Sequence, residues 1–211
     1  MIVSLGGQSI ELRPAGTVFV QDALIVADVH LGKERAFRQQ GVPVPEGPSA
    51  VALVSLSKEI EATGAQRLIF LGDLFHHENA IAGVTFELLA CWLKERPSLS
   101  TILIKGNHDR IPTSLQSAIE TLPSHSIGDL GLYHHPQDTN EPHLAGHLHP
   151  AVTLRQGHHS ERLRCFWRRQ SCLILPSFSD FTGSSQATPE PGDEIYVGVG
   201  NEVKQVHLPT P

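Results

Sequence analysis

Five apolar runs in this chain stop abruptly in short clusters of aspartate, histidine and asparagine. No other feature narrows the possible folds as much. ALIVA (23–27) leads into Asp28-Val29-His30, and RLIFL (67–71) into Gly72-Asp73. TILIK (101–105) leads into Gly106-Asn107-His108-Asp109. LGLY (130–133) leads into His134-His135, and HLA (143–145) into Gly146-His147-Leu148-His149. Short apolar runs bounded by glycine and polar residues read as buried strands. In open α/β sheets, ligands bind beyond the carboxyl ends of the strands. A fold that aligns these five ends gathers an Asp/His/Asn cluster along one edge.

The rest of the chain fits that frame. Residues 2–5, 9–12 and 17–20 read as short strands separated by Gly6-Gly7 and Pro14-Ala15-Gly16. Helices are expected over 33–40, 48–63 and 84–95. The second follows a periodicity in Val51, Val54, Leu56 and Ile60 and stops at Gly64. Further strands are expected over 152–154, 163–167 and 173–175, and a hairpin of 195–199 with 203–208 across Gly200-Asn201. Residues 183–192 read as a surface loop. The order is β-rich ends around a β-α-β-α-β middle, an α/β domain with mixed sheets. With 211 residues and 40% hydrophobic content, the chain is expected to form a single domain over 1–211.

Histidine usage points to chemistry. There are 13 histidines against 16 lysines plus arginines, and histidine is the commonest metal ligand. If the segments are extended, residues i and i+2 share a side. Asp28 and His30 then reach one ion together, and so do His147 and His149. The net charge of −6 argues against a protein that coats nucleic acid by bulk electrostatics. Three cysteines without zinc-like spacing (Cys91, Cys165, Cys172) read as half-buried reduced thiols. The N-terminus has no basic segment ahead of an apolar one, and no run is long enough to span a membrane. A cytoplasmic protein is expected.

The ordered set D-x-H, G-D, G-N-H-D, H, G-H-x-H resembles the calcineurin-like metallophosphoesterase superfamily. ADVHLGKE (27–34), GVPVP (41–45), LGDLFH (71–76), GNHDR (106–110) and LPSFSDFTG (175–183) resemble, more closely, the bacterial DNA-ligase-associated metallophosphoesterases. The resemblance implies a four-layer α/β/β/α sandwich with mixed sheets and a dinuclear metal centre. One ion would be held by Asp28, His30, Asp73 and His149. The other would be held by Asp73, Asn107, His134 and His147, with Asp73 bridging. His134 is preferred to His135 because it comes first after its strand. His108 would stand over the substrate as a catalytic group. Asp109 is expected to orient it by accepting a hydrogen bond from its other ring nitrogen. The resemblance also implies a place in DNA repair, with a DNA ligase and a helicase-like protein as partners.

The donor chemistry agrees. A mixed N/O shell without thiolate suits Mn²⁺, with Fe or Zn²⁺ as other candidates, better than Mg²⁺ or Ca²⁺. Two carboxylate-bridged divalent ions lower the pKa of a water between them, and the hydroxide attacks phosphorus in line with the leaving oxygen. The expected activity is hydrolysis of phosphodiesters, cyclic nucleotides or single-stranded nucleic acid, with an endonuclease-type enzyme in view. A phosphomonoesterase and a non-catalytic repair subunit are the alternatives. Retention of His108 favours an enzyme.

Three cations near the motifs, Lys33, Arg35 and Arg110, are candidate substrate contacts. For Lys33 and Arg35, a solvated helix start is the simpler reading. His76 is a candidate neighbour of the ligands. The basic run 155–169 reads as a solvated hairpin face or a track for a nucleic-acid backbone.

Overall fold

A computed structural model of the chain describes residues 1–76, 83–179 and 181–207. The first sheet has seven strands in sequence order: β1 (Ile2–Leu5), β2 (Gln8–Leu12), β3 (Val18–Val20), β4 (Ala23–Val26), β5 (Arg67–Phe70), β6 (Ser100–Ile104) and β7 (Glu120–Leu122). It is antiparallel from β1 to β4 and parallel from β4 to β7. The switch follows from the connections. Tight turns join β1 to β4, whereas helices carry the chain back from β4 to β5 and from β5 to β6.

These helices are α1 (Lys33–Gln39), α2 (Pro48–Thr63) and α3 (Val84–Lys94). Proline begins α2, where its missing N–H costs nothing, and left-handed Gly64 ends it, donating to Ile60 O. The core face of α2 is Ala52, Leu53 and Leu56, whereas Val51 and Val54 are 62% and 55% exposed. The expected periodicity therefore picks the wrong face at those two valines. The buried face meets Leu24, Val26, Leu68 and Phe70 of the sheet and Leu89 and Trp92 of α3. Leu56 is fully buried there, so Leu56→Ala would cost about 2–5 kcal/mol. Helix α1 is tied to the start of α2: Gly32 N donates to Ser49 Oγ and Ser49 N to Glu34 Oε1.

The second sheet runs β14-β11-β12-β13-β10-β9-β8, with β15 paired to β12 and β16 to β15. Its strands are β8 (His125–Ile127), β9 (Leu130–Tyr133), β10 (His143–Ala145), β11 (Pro150–Gln156), β12 (His159–Arg169), β13 (Cys172–Ile174), β14 (Ser185–Gln186), β15 (Glu194–Val199) and β16 (Glu202–Val206). The hairpin across Gly200-Asn201 forms, pairing Val199 with Glu202. Leu208, expected in its second strand, lies outside the described residues. The short strands β7, β8 and β14 were not expected, and β14 interrupts the predicted 183–192 loop.

Alternation divides each strand between two cores. Phe166 and Leu173 point to the first sheet and meet Ile10, Ile25 and Ile69. Their neighbours Cys165, Trp167, Cys172 and Ile174 form a separate cluster on the far side. The two mixed sheets and the α2–α3 layer are those of the expected sandwich. Among the described residues the far side carries no helix. The connection from β14 to β15 covers it, with Ala187 in the cluster and Asp193 Oδ2 accepting from Trp167 Nε1.

The carboxyl ends of β4, β5 and β6 meet those of β9, β10 and β13 along one edge. Phe178 N donates to Ala27 O, Gly146 N to His134 O, and Leu175 N to Ala145 O. That edge carries all five polar clusters.

Candidate metal centre

Backbone conformation marks the edge first. Seven described non-glycine residues have positive φ, and five of them are Asp28, His30, Asp73, His147 and His149, at 46–67°. Such a conformation costs an L-residue about 1–2 kcal/mol, and it clusters at functional sites because surrounding structure must enforce it. Here the enforcement is visible. Asp28 N donates to Gly72 O, His30 N to Asp73 O and Leu31 N to Leu74 O, so the segments after β4 and β5 stay zipped beyond the strands. The i, i+2 pairs do converge, but through left-handed turns rather than extended chain. Two glycines are required by close approach. A Cβ on Gly72 (φ 81°) would lie 2.2 Å from His134 Nδ1, and one on Gly106 would lie 2.3 Å from Asp73 Oδ1.

The side chains converge in overlapping groups: Asp28, His30 and His149; Asp28, Asp73 and His134; His134, His135 and His147. Asp73 sits between them. Its Oδ1 accepts from His108 N at 3.1 Å, while its Oδ2 lies 4.0 Å from His30 Nε2 and 3.7 Å from His134 Nε2. His134 and His149 each place Nδ1 on a backbone carbonyl, Leu71 O at 2.8 Å and Gly183 O at 3.1 Å. The committed Nδ1–H leaves each Nε2 a bare acceptor. Each Nε2 faces a carboxylate oxygen, at 3.7 Å from Asp73 Oδ2 and 3.4 Å from Asp28 Oδ1. Acceptor facing acceptor is unfavourable unless a proton or cation lies between.

Asp28 sharpens the point. Its Oδ2 accepts from His147 N at 2.8 Å, but its Oδ1 is fully buried without a hydrogen bond. A buried, unsatisfied carboxylate oxygen is costly. The donor set therefore fits divalent cations. The basicities fit too. Burial, then neighbouring His149 and Lys33, pushes His30 down to about 2, and burial with neighbouring histidines lowers His147, so both are neutral lone-pair donors. For His149 burial acts downward, yet the Asp28 carboxylate 3.4 Å away outweighs it and raises the value.

His135 Nε2 lies 3.1 Å from Asn107 Oδ1. Exposed His135 thus orients the carbonyl of Asn107, while buried His134 faces Asp73. This supports His134 as the ligand, although both rings belong to the third group. Asp109 departs from expectation. Its Oδ1 accepts from Leu74 N and Phe75 N, and its Oδ2 from Gly106 N, so both oxygens serve backbone amides and neither reaches the His108 ring. Burial raises its pKa. Asp109 is a positioning residue that ties the Gly106–Arg110 turn to the segment after β5.

The calcineurin-like phosphoesterase family pattern matches residues 23–198. The chain belongs to that family. Among solved structures, the Pseudomonas putida nuclease MPE is similar at 30% identity, over 98% of this chain and 99% of that one, with a TM-score of 0.78. The Escherichia coli phosphoesterase Yfce is similar more loosely, at 14% identity over 87% of this chain and 97% of that one, with a TM-score of 0.43. No curated relative matches.

In this phosphoesterase the remaining candidates divide. His108 is exposed and its ring lies 6.1 Å from that of His30 and 6.2 Å from that of His76. The His76 ring, 5.6 Å from His30, also packs on Phe37, so it joins the cluster. Lys33 is not a solvated helix start. Burial lowers its pKa, and its charge is felt at both His30 and His149. Arg35 lies against Gly83 at the start of α3, away from the ligands. Arg110 is exposed just past the turn.

Three arginines of the basic run are engaged within the fold. Arg162 donates to Ser184 Oγ, Ser184 O and Gln186 Oε1. Arg164 donates to Ser177 O and Phe178 O, and Arg168 to Glu194. Arg162 holds the segment whose Gly183 carbonyl orients His149 and whose Ser185 N donates to His149 O. Nothing in the spacing of the sequence announces that clamp. Cys165 and Cys172 are buried free thiols and Cys91 is exposed, in place of three half-buried ones. Among the described residues no helix is long and apolar enough to cross a membrane.

Proposed function

We propose that this phosphoesterase is a two-metal phosphodiesterase of the nuclease type, acting on cyclic or single-stranded substrates. The observation that carries the reading is the position of Asp73 Oδ2, within 4.0 Å of ring nitrogens in two different ligand groups. One ion belongs to Asp28, His30, Asp73 and His149, the other to Asp73, Asn107, His134 and His147. The thiolate-free N/O shell favours Mn²⁺, ahead of Fe or Zn²⁺. When bound, such a pair supplies Lewis-acid charge and an activated water at neutral pH.

The chain's own residues do the rest. His108 carries its ring at the open edge, and its backbone N–H on Asp73 fixes it relative to the ligands. It holds the proton that passes to the leaving oxygen. Asp109 keeps the turn in place, and Lys33 adds positive charge beside the phosphoryl group. A monoester, with two negative charges, is usually gripped by several dedicated cations. Here Lys33 and Arg110 remain at the edge, and a diester with one charge suits them better. Asn107 and His108 are exposed, which leaves room for a strand. The likeness to a nuclease supports this substrate class. A repair setting beside a DNA ligase and a helicase-like protein belongs to the same reading, tested by co-purification with those proteins.

The direct test is kcat/KM with Mn²⁺ for matched nitrophenyl mono- and diesters, 2′,3′-cyclic nucleotides and single-stranded DNA. Diesters are expected to be the better substrates. Cleavage of monoesters alone would overturn the substrate assignment. His108→Ala is expected to keep both metals and to lose about 10²–10⁴-fold in activity on alkyl esters, less on nitrophenyl esters. Equal losses would count against the acid role.

A further inference from the structure

A cleft separate from the metal ligands lies beside the metal edge. It has a volume of about 1060 Å³ and lies between the end of α3, the length of β6 and the 111–121 segment. One end is formed by Asp109 and Arg110, so the Gly106–Arg110 turn is shared. Asn107 and His108 serve the metal edge, while the next two residues wall the cleft. Ser100 and Thr101 at the start of β6 and Lys105 just past its end line it, which at about 3.3 Å per residue gives a run of roughly 17 Å.

Its charge is opposite to that of the chain. Lys94, Arg96, Lys105 and Arg110 line it against a single exposed acid, Glu120, whereas the whole chain carries −6. The other acid in the wall, Asp109, is buried on backbone amides. Lys94 and Lys105 are exposed and have no ion-pair partner among the described residues. By contrast, Arg13, Arg38, Arg67, Arg168 and Lys204 are all paired with acids. Arg96 is held at the mouth, stacked 4.3 Å over the Trp92 ring and donating to Ser57 Oγ. Hydroxyls of Ser114, Ser117 and Thr121 complete the wall, and no aromatic residue lines it.

Two lysines without an ion-pair partner among the described residues, set among hydroxyls and without a stacking platform, suit phosphates and not bases. We infer that this cleft holds the sugar-phosphate backbone of a single-stranded segment flanking the scissile phosphate. It binds without sequence preference and through charge. The inference rests on the diesterase reading and names where its longer substrates run. The α3–β6 cleft takes the strand, and the metal edge takes the phosphate that is cut.

The test uses the Mn²⁺-loaded full chain. Binding of a fluorescent oligothymidylate is measured in a His108→Ala background, with and without Lys94→Glu plus Lys105→Glu. The charge reversal is expected to raise Kd at least tenfold and to shrink the log Kd against log salt slope by about 1.4, two phosphates at about 0.7 each. In otherwise unaltered protein, the same pair should change hydrolysis of bis-p-nitrophenyl phosphate, too short to extend from the metal edge along the cleft, less than twofold. The milder Lys94→Gln plus Lys105→Gln pair, with an unchanged Tm, should show the same pattern at smaller size. Unchanged Kd and slope would overturn the assignment, and so would a parallel fall in small-diester hydrolysis. If the unaltered enzyme cleaves no diester at all, the diesterase reading itself fails. If it cleaves the small diester but binds oligothymidylate independently of the two lysines, the cleft alone fails.

Discussion

Two clusters of buried charge in this molecule are built on opposite plans. Beside β2 and β3, Arg13 donates to Glu59 and Glu11, and Thr17 Oγ1 donates to the same Glu59 oxygen. The Glu59 hydrogen bond holds the Arg13 guanidinium above its usual pKa. Every charge there has an opposite charge. At the metal edge, Asp28, Asp73 and four histidines are equally buried or nearly so, yet Asp28 Oδ1 and His30 Nδ1 have no hydrogen-bond partner. Five of these residues also carry backbone strain. Buried charge is tolerated when paired and costly when not. The first cluster is complete as folded, and the second leaves acceptors open that divalent cations would satisfy.

The largest expected contrast comes from breaking one member of each. Glu59→Ala leaves the Arg13 guanidinium only the more exposed Glu11 and takes the acceptor from Thr17, which should cost about 1.5–3 kcal/mol, roughly 3–12 °C in Tm for a chain of this size, with or without metal. Asp28→Asn keeps a carbonyl for His147 N and turns an amide toward His149. It should leave the metal-free Tm unchanged or higher while abolishing the Tm gain on adding Mn²⁺. A metal-free Asp28→Asn protein as destabilised as Glu59→Ala would erase the distinction between the clusters.

Acid should separate them next. His30 is pushed down to about 2 when folded, chiefly by burial, but titrates near 6.5 when unfolded. Between those values the unfolded chain binds the extra proton, so metal-free stability is lost as pH falls below 6.5. His149, raised, works the other way: its contribution is present below 6.5 and fades as pH rises through its folded value. Arg13 stays protonated throughout and contributes no slope. His30→Asn should flatten the fall of Tm between pH 6.5 and 4 in metal-free protein, and an unaltered slope would contradict the assignment.

A smaller effect tests how the open cluster is held. Arg162→Ala releases the 183–186 segment, and with it the carbonyl that orients His149. Loss of such an orienting partner typically costs 10–100-fold in metal affinity. The weaker of two Mn²⁺ affinities should fall about tenfold by calorimetry, with Arg162→Lys intermediate and Tm little changed. Equal effects on both ions would place the clamp elsewhere. Smallest of all, thiol labelling of native protein should reach one cysteine. Cys91 is exposed, whereas burial lifts Cys165 and Cys172 to about 12. Rapid labelling of three would contradict the closed far side of the second sheet.

The fold class and the strands that carry the polar clusters were legible in the sequence. Apolar runs of three to five residues ending in Asp and His mark both a strand and what stands at its end, so the residues that meet along the edge could be named one by one. The backbone that aims them could not. Asp28, His30, Asp73, His147 and His149 occupy a left-handed conformation that residue type does not advertise. Asp109 looked like a partner for His108 because the two are adjacent, but its carboxylate turns inward to the amides of Leu74, Phe75 and Gly106. The strands β7, β8 and β14 are two or three residues long and owe their pairing to neighbours. Arg162 and Arg164 looked like a surface patch because their carbonyl partners lie in a distant segment. Val51 and Val54 fit a helical period but lie off the buried face.

The central claim is that this edge holds two cations that share Asp73. Calorimetric titration of metal-free protein with Mn²⁺, run beside Asp73→Asn, measures it directly. The account predicts two equivalents bound by the unaltered chain and weakening of both together in Asp73→Asn, whereas His149→Ala weakens mainly one. A single equivalent, or none, or an Asp73→Asn protein that loses one ion and keeps the other at full affinity, would contradict it.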